Sequence, residues 1–172
     1  MTLDEVMEEL SSIGTEQTSK IYRKHGCKAP MFGVKVADLK LILKKTKTNH
    51  SLALDLFETG NADAQYLAGL MADSQAFSKE ELKNWAKKAV WSNVAEYSVA
   101  WNIGESEHCV ELSKELIAAK SEQLQSVGWT SLACHLGYEK RPELEDEFLL
   151  SLLDKIEKEI HDAPNRVKYT MN

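Results

Sequence analysis

The chain has 172 residues, of which 43% are hydrophobic and 28% are charged, and its formal net charge is −6. This length allows one folded domain with a substantial core. No apolar run reaches the 18 or so residues that a membrane-spanning helix needs, and the amino terminus lacks a signal-peptide pattern. The three cysteines are far apart and odd in number, which argues against a disulfide framework. We therefore predict a single cytoplasmic domain over residues 1–172.

Apolar residues recur at helical spacing along the chain. The stretch 78–91 shows the pattern clearly, because Leu82, Trp85 and Ala86 continue one apolar stripe behind a capping box that begins at Ser78. The one strand-like stretch, 32–36, is too short and isolated to form a sheet. In chain order, the pattern predicts helices near 3–13, 15–25, 36–47, 51–59, 63–73, 78–91, 93–103, 107–119, 121–136, 143–160 and from 163 onward.

Helices of this length, joined by short turns, allow either a bundle or an array of helical pairs. The pairs recur at loose intervals of about 30 to 40 residues without an obvious sequence repeat, which is typical of HEAT-type arrays. The last predicted helix stops without a cap. We predict an all-α, HEAT-like solenoid of helical pairs that lacks one or more carboxy-terminal helices.

Positive charge is concentrated in one part of an otherwise acidic chain. Residues 20–47 hold nine basic residues and one acidic residue, a local charge of +8. On a helix over 36–47, Lys40, Lys44 and Lys47 lie within about 60° of one another, on a flank separate from the apolar side chains. Such a row can follow the phosphates of a nucleic acid, and it can also be a solvated face.

The aromatic residues near the middle of the chain divide into two groups. Trp85 and the i, i+4 pair of Tyr97 and Trp101 are predicted to pack in the core, whereas Trp91 lies at a helix junction where an indole can face a groove. Glu96 offers an acid–base group close by, although its spacing from Trp91 does not require that role.

No Cys-x-x-Cys pair or His/Cys cluster has the spacing of metal ligands, so no metal or other cofactor is predicted.

Three segments resemble motifs of the DNA alkylation repair (AlkD-like) HEAT-repeat family, the last two being typical of one branch of it. They are APMFGVKVADLK at 29–40, EYSVAWN at 96–102 and DAPNRVKYTMN at 162–172. The resemblance extends over roughly 20–172. It implies a curved helical solenoid with a cationic concave face for duplex DNA, and a glycosylase that releases positively charged N-alkylated purines without a metal. It also implies further helices after Asn172.

The chain departs from the catalytic branch of that family at its active site. Trp91 matches the second tryptophan of a pair whose first position is Val90 here, and the position of the catalytic aspartate, four residues on, is Ala95. Glu96 is one step further, which turns a side chain by about 100° on an α-helix. Weak or undetectable excision is therefore expected, and an Ala95→Asp change is expected to increase it.

Two interpretations stay open. The first is a DNA alkylation repair-like protein that binds duplex DNA in a basic groove and retains glycosylase activity, with Trp91 and Glu96 as candidate catalytic residues. The second is a non-catalytic HEAT-repeat module that binds DNA structures or a protein partner. The predicted DNA contacts are Lys35, Lys40, Lys44, Lys47, Lys87, Arg166 and Lys168.

Overall fold

A computed structural model describes residues 1–137 and 144–172, and every regular element in these two ranges is helical. None of the helices described is long and apolar enough to cross a membrane. The predicted start of one helix at residue 143 lies outside the described ranges. The helices are α1 Leu3–Ile13, α2 Glu16–Lys24, α3 Val36–Thr46, α4 His50–Glu58, α5 Ala62–Met71, α6 Lys79–Lys88, α7 Ser92–Val94, α8 Ala100–Glu105, α9 Cys109–Ile117, α10 Glu122–Leu136, α11 Asp146–Glu159 and α12 Asn165–Met171.

Consecutive helices pack as pairs, and the pairs stack side by side. A π-helical segment, Ala95–Val99, joins α7 and α8 into one continuous helix. Helix α4 packs against α5, α6 against the π segment and α8, and α9 against α10. The second members of the pairs also contact one another in the order α3, α5, the π segment with α8, α10 and α12. We call this series of helices the second-helix layer, because it carries the candidate site.

Small residues allow close contact within the second-helix layer. A Cβ atom added at Gly69 of α5 would lie 2.3 Å from the Cβ of Ser98, and one added at Gly104 of α8 would lie 2.8 Å from the Cβ of Cys134. Asn102 is buried between these contacts, and its Nδ2 donates to the carbonyl oxygens of Gly69 and Ser98, both at 2.9 Å. The helix that contains the π segment is therefore held closely against α5 and α10.

One buried carboxylate holds the turn that leads into α3. Asp63 is 2% exposed, and it accepts backbone N–H bonds from Phe32, Gly33 and Val34 at 2.6, 2.9 and 3.1 Å. Gly33 has φ +81°, and a Cβ there would lie 2.4 Å from the carbonyl oxygen of Thr15. Only glycine fits this backbone without strain. The aromatic-Gly-Val turn at 32–34 thus fixes the start of the basic helix.

Replacing Asp63 by Ala should lower the free energy of unfolding by about 2–4 kcal/mol, because buried backbone donors lose a charged acceptor. Asp63→Asn keeps one acceptor oxygen and should cost less. Urea unfolding followed by far-UV circular dichroism measures both changes. The exposed Asp55 of α4 provides the control, since its replacement by Ala should change the stability by less than about 0.5 kcal/mol. Equal effects of Asp63→Ala and Asp55→Ala would contradict the anchoring role.

Candidate nucleic-acid interface

A cleft of about 420 Å³ opens where α2, the start of α7, the π segment and α12 meet. Its described lining combines aromatic rings with a guanidinium group and contains no carboxylate. In the two described ranges, no three His, Cys, Asp or Glu side chains are grouped as metal ligands would be. The lining residues are Ile21, Tyr22, His25, Trp91, Ser92, Asn93, Tyr97 and Arg166.

Trp91 lies in the cleft wall and is held firmly there. Its side chain is 8% exposed, its Nε1 donates to the carbonyl oxygen of His25 at 3.0 Å, and its ring centroid is 5.1 Å from that of Tyr22. The preceding residue, Val90, donates its N–H to the buried Gln65 side chain at 3.0 Å. Trp91 therefore packs against the first helices and also lines the cleft.

The helix that follows Trp91 is not a regular α-helix. Ala100 donates its N–H to the carbonyl oxygen of Ala95, five residues back, which is the π-helical pattern. The sequence prediction of α-helical geometry over 93–103 is therefore wrong at 95–99, and the 100° step assumed between Ala95 and Glu96 does not apply. π segments of this kind occur often at functional sites.

Ala95 is completely buried, and this changes what its replacement by Asp can test. The side chain has 0% exposure. A carboxylate at this position would enter the core without a partner, which costs several kcal/mol unless the group takes up a proton. The expectation that Ala95→Asp increases base excision is therefore replaced by the expectation of a destabilised protein.

Glu96 is bonded to Arg166, and this contact joins two of the three family-like motifs. Glu96 is 1% exposed. Arg166 donates one hydrogen bond from Nε to Oε1 of Glu96 at 2.9 Å and a second from Nη2 to Oε2 of Glu96. The backbone N–H of Arg166 also donates to Glu122 at 2.9 Å. The hydrogen bond to Glu96 raises the pKa of the Arg166 guanidinium. The motif at 96–102 thus contacts the motif at 162–172 through a bidentate ion pair.

The prediction that Tyr97 and Trp101 pack in the core is wrong. Their exposures are 43% and 44%, whereas all other residues from Ala95 to Gly104 are buried. An i, i+4 spacing places two residues on one face without saying which face is covered. The neighbouring Tyr169 hydroxyl, together with partial burial, raises the pKa of the Tyr97 hydroxyl. The Tyr97 hydroxyl is therefore protonated at neutral pH.

The amino-terminal end of α3 lies beside the cleft. Val36 and Leu39 line a small cavity together with Trp91 and Asn93, and the last two also line the cleft. Lys40 follows Val36 by one helical turn. The first turn of α3, which precedes the lysines that the sequence predicts as DNA contacts, therefore lies next to the cleft.

The remaining lysines of α3 distinguish two sides of this helix. Lys45 contacts Glu9 of α1 at 2.6 Å, so its side of α3 faces α1. Four of the lysines predicted to bind DNA lie on α3 or next to its ends, are exposed, and form no ion pair with any described residue. They are Lys35, Lys40, Lys44 and Lys47. The chain therefore offers both a paired and an unpaired lysine on one helix.

The other predicted DNA contacts lie in two different places. Lys168 and Arg166, both on α12, line a second depression of about 420 Å³ next to the cleft. Lys87 lies near the end of α6, and the structure does not bring it to the cleft. It is close to Glu115, whose pKa is lowered mainly by a hydrogen bond from Lys83 and further by the Lys87 charge.

Three comparisons with known proteins agree with this geometry. A family model described as DNA alkylation repair enzyme matches residues 6–172. The uncharacterized proteins Lin0241 of Listeria innocua and Lmo0209 of Listeria monocytogenes are each 29% identical over 178 residues, which cover 100% of this chain and 76% of each relative. The third match is a solved structure, described as "a new family of proteins related to the HEAT-like repeat DNA glycosylases with affinity for branched DNA structures". It is 35% identical to this chain with a TM-score of 0.93, and the match covers 99% of this chain and 73% of that chain.

The structural similarity confirms the predicted all-α, HEAT-like fold. A single cytoplasmic domain with further carboxy-terminal helices stays a prediction. The family match includes all three motifs and both members of the ion pair between Glu96 and Arg166. The resemblance inferred from the motifs is thus confirmed over most of the chain, and the chain belongs to the DNA alkylation repair enzyme family.

Proposed function

We propose that this chain binds DNA through the cleft and the basic residues beside it, that it binds branched DNA better than continuous duplex, and that it excises alkylated bases weakly or not at all. One observation carries the proposal. The carboxylate closest to the catalytic position of the family, that of Glu96, is buried and bonded to Arg166, the arginine that lines the cleft.

DNA binding is supported by the basic groups on two sides of the cleft. The first turn of α3 lies beside the cleft and is followed by the exposed Lys40 and Lys44, while α12 contributes Arg166 to the cleft and Lys168 to the depression next to it. Each lysine that contacts a phosphate releases condensed counterions, which gives sequence-independent and salt-dependent affinity. The net charge of −6 makes the expected affinity modest, because the rest of the protein repels DNA.

Weak excision is supported by the environment of Glu96. Release of an alkylated purine leaves positive charge on the sugar, and an oriented carboxylate that can approach the sugar would stabilise it. Both Glu96 oxygens are bonded to Arg166, and the side chain is almost completely buried. The neighbouring Ala95 offers only a methyl group. The cleft therefore suits binding better than charge stabilisation.

A preference for branched DNA is supported by the solved structural relative. Its description names an affinity for branched DNA structures, and the part of it that matches this chain, 73% of its length, is 35% identical with a TM-score of 0.93. A branch presents several phosphate backbones in one place, and a fork also presents unpaired bases. Basic groups on two sides of an aromatic cleft suit that arrangement better than they suit a single straight duplex.

The double change Lys40→Ala/Lys44→Ala tests the phosphate contacts. It should weaken binding to duplex and branched DNA about equally, and should flatten the plot of log affinity against log salt concentration by about 1.8, since each lost contact contributes about 0.9. Fluorescence anisotropy with labelled DNA at several salt concentrations measures both quantities.

A matched control is the double change Lys45→Ala/Lys88→Ala. It removes the same charge from two lysines that already form ion pairs, with Glu9 at 2.6 Å and with Glu58 at 2.7 Å. The control should change the salt dependence much less. Equal flattening in both double variants would mean that only net charge matters, and an unchanged slope in the α3 variant would show that its lysines are a solvated face.

A further inference from the structure

The helix around the π segment shows an unusual distribution of exposed side chains. All residues from Ala95 to Gly104 are buried except Tyr97 and Trp101, two large aromatic residues with more than two fifths of their surface exposed. A helix that buries every small and aliphatic side chain would gain further free energy by burying these rings as well. The exposed positions of Tyr97 and Trp101 are therefore not explained by core packing.

A third exposed ring adjoins this face. Tyr169 of α12 is 61% exposed and lies beside Tyr97. The guanidinium carbon of Arg166 lies 4.6 Å from the centroid of the Tyr169 ring. Tyr97 and Arg166 also line the cleft. Tyr97 and Tyr169 thus lie together beside the positive charge of Arg166, and Trp101 follows Tyr97 at the i+4 spacing that places both on one face of the helix.

We propose that Tyr97, Trp101 and Tyr169 form a stacking platform for unpaired nucleotides at the branch point of DNA. The inference rests on the proposed function and names the part of branched DNA that the protein distinguishes from duplex. The bases of a continuous duplex are stacked inside it, so their faces cannot reach an external ring. A branch point or fork offers bases whose faces are free.

The chemistry of the platform suits this ligand. Stacking of a base on an aromatic side chain is worth about 1–3 kcal/mol and tolerates any base, because each base has a π face. Arg166 and Lys168 lie next to Tyr169, where they can contact the phosphates that accompany the stacked bases. Arg166 is already paired with Glu96, whereas an apolar protein segment would leave the Lys168 ammonium without a counter-charge, so the charge favours a nucleic acid as the occupant.

The test compares Trp101→Ala with the parent on two DNAs that share one paired stem, a blunt duplex and a fork that carries two unpaired arms. Fluorescence anisotropy at one fixed salt concentration gives both affinities. Trp101→Ala should weaken fork binding at least about fivefold, which corresponds to the lower limit for one stacked base, and should change duplex binding less than about twofold. Trp101 is exposed, so the change should leave the fold intact, which thermal unfolding verifies.

Two further variants separate stacking from other causes. Leu150 of α11 is 62% exposed, and Leu150→Ala removes exposed apolar surface elsewhere without an expected effect on either DNA. Trp101→Phe keeps an aromatic ring at the platform position, so fork binding should be largely retained. Fork binding lost in Trp101→Phe to the same extent as in Trp101→Ala would overturn the stacking role.

Intrinsic fluorescence gives a direct readout of the platform. Trp101 is 44% exposed, whereas the other three tryptophans, Trp85, Trp91 and Trp129, are between 2% and 8% exposed. A base stacked on Trp101 should therefore quench part of the emission when the fork binds, and this quenching should be absent in Trp101→Phe although the fork still binds. Equal quenching in the parent and in Trp101→Phe would overturn the proposal.

The outcomes distinguish the two proposals. If Trp101→Ala leaves both affinities unchanged, or lowers both equally, the platform is wrong while the proposed DNA binding stands. If the parent binds neither the duplex nor the fork, both proposals are overturned. Selective loss of fork binding together with Trp101-dependent quenching supports the platform.

Discussion

The protein is expected to release a cationic N-alkylated purine from duplex DNA at least about a hundredfold more slowly than a catalytically active member of its family. The reason is that an oriented electrostatic contact in the transition state is typically worth about 2.7–4 kcal/mol. Ala95 cannot supply that contact, and the Glu96 carboxylate is buried against Arg166. Slow residual release would still be consistent with this expectation, since an alkylated purine that carries a positive charge is already a good leaving group.

The assay is single-turnover base release from alkylated duplex, with DNA binding measured on the same samples. The parent is compared with Glu96→Gln and with Glu157→Gln, which changes an exposed carboxylate on α11 and serves as the control. Release by the parent at the rate of an active enzyme, and its loss in Glu96→Gln alone, would make Glu96 catalytic and contradict the proposed function. Equal and low rates in all three proteins would support a binding role.

Arg166→Met should lower the free energy of unfolding by about 2–3 kcal/mol, because it leaves the Glu96 carboxylate in the core without its counter-charge. This value is at the lower end for broken buried pairs, since the Arg166 side chain is 36% exposed and water screens part of the interaction. Glu96→Gln should cost only about 1 kcal/mol, because an amide still accepts a hydrogen bond and the arginine can be hydrated.

Urea unfolding of the two single variants and of the double variant Glu96→Gln/Arg166→Met measures the coupling between the side chains. The double variant should be more stable than Arg166→Met, since the unpaired charge is gone. Lys168→Met is the matched control on the same helix, and a change below about 0.5 kcal/mol is expected there. If Arg166→Met proves no more destabilising than Lys168→Met, the ion pair does not join the two motifs energetically.

The amino-acid sequence by itself determined the helices and the location of the positive charge. Helical periodicity and capping are local properties, so Ser78 forms the predicted capping box with Glu81, and α3 forms over the predicted basic stretch. The family motifs were recognisable for the same reason, because each is a short continuous segment. The turn at 32–34 could be recognised by its glycine, whereas the Asp63 carboxylate that holds it could not.

Only the tertiary structure decided how these segments meet. Glu96 and Arg166 are 70 residues apart, and Asp63 is about 30 residues from the turn that it holds, so that their pairing depends on how the helical pairs stack. Periodicity places Tyr97 and Trp101 on one face, but the packing of α5 and α10 determines that this face stays exposed. The π segment packs against α5, α6 and α10, and apolar periodicity along the sequence does not distinguish it from a regular α-helix.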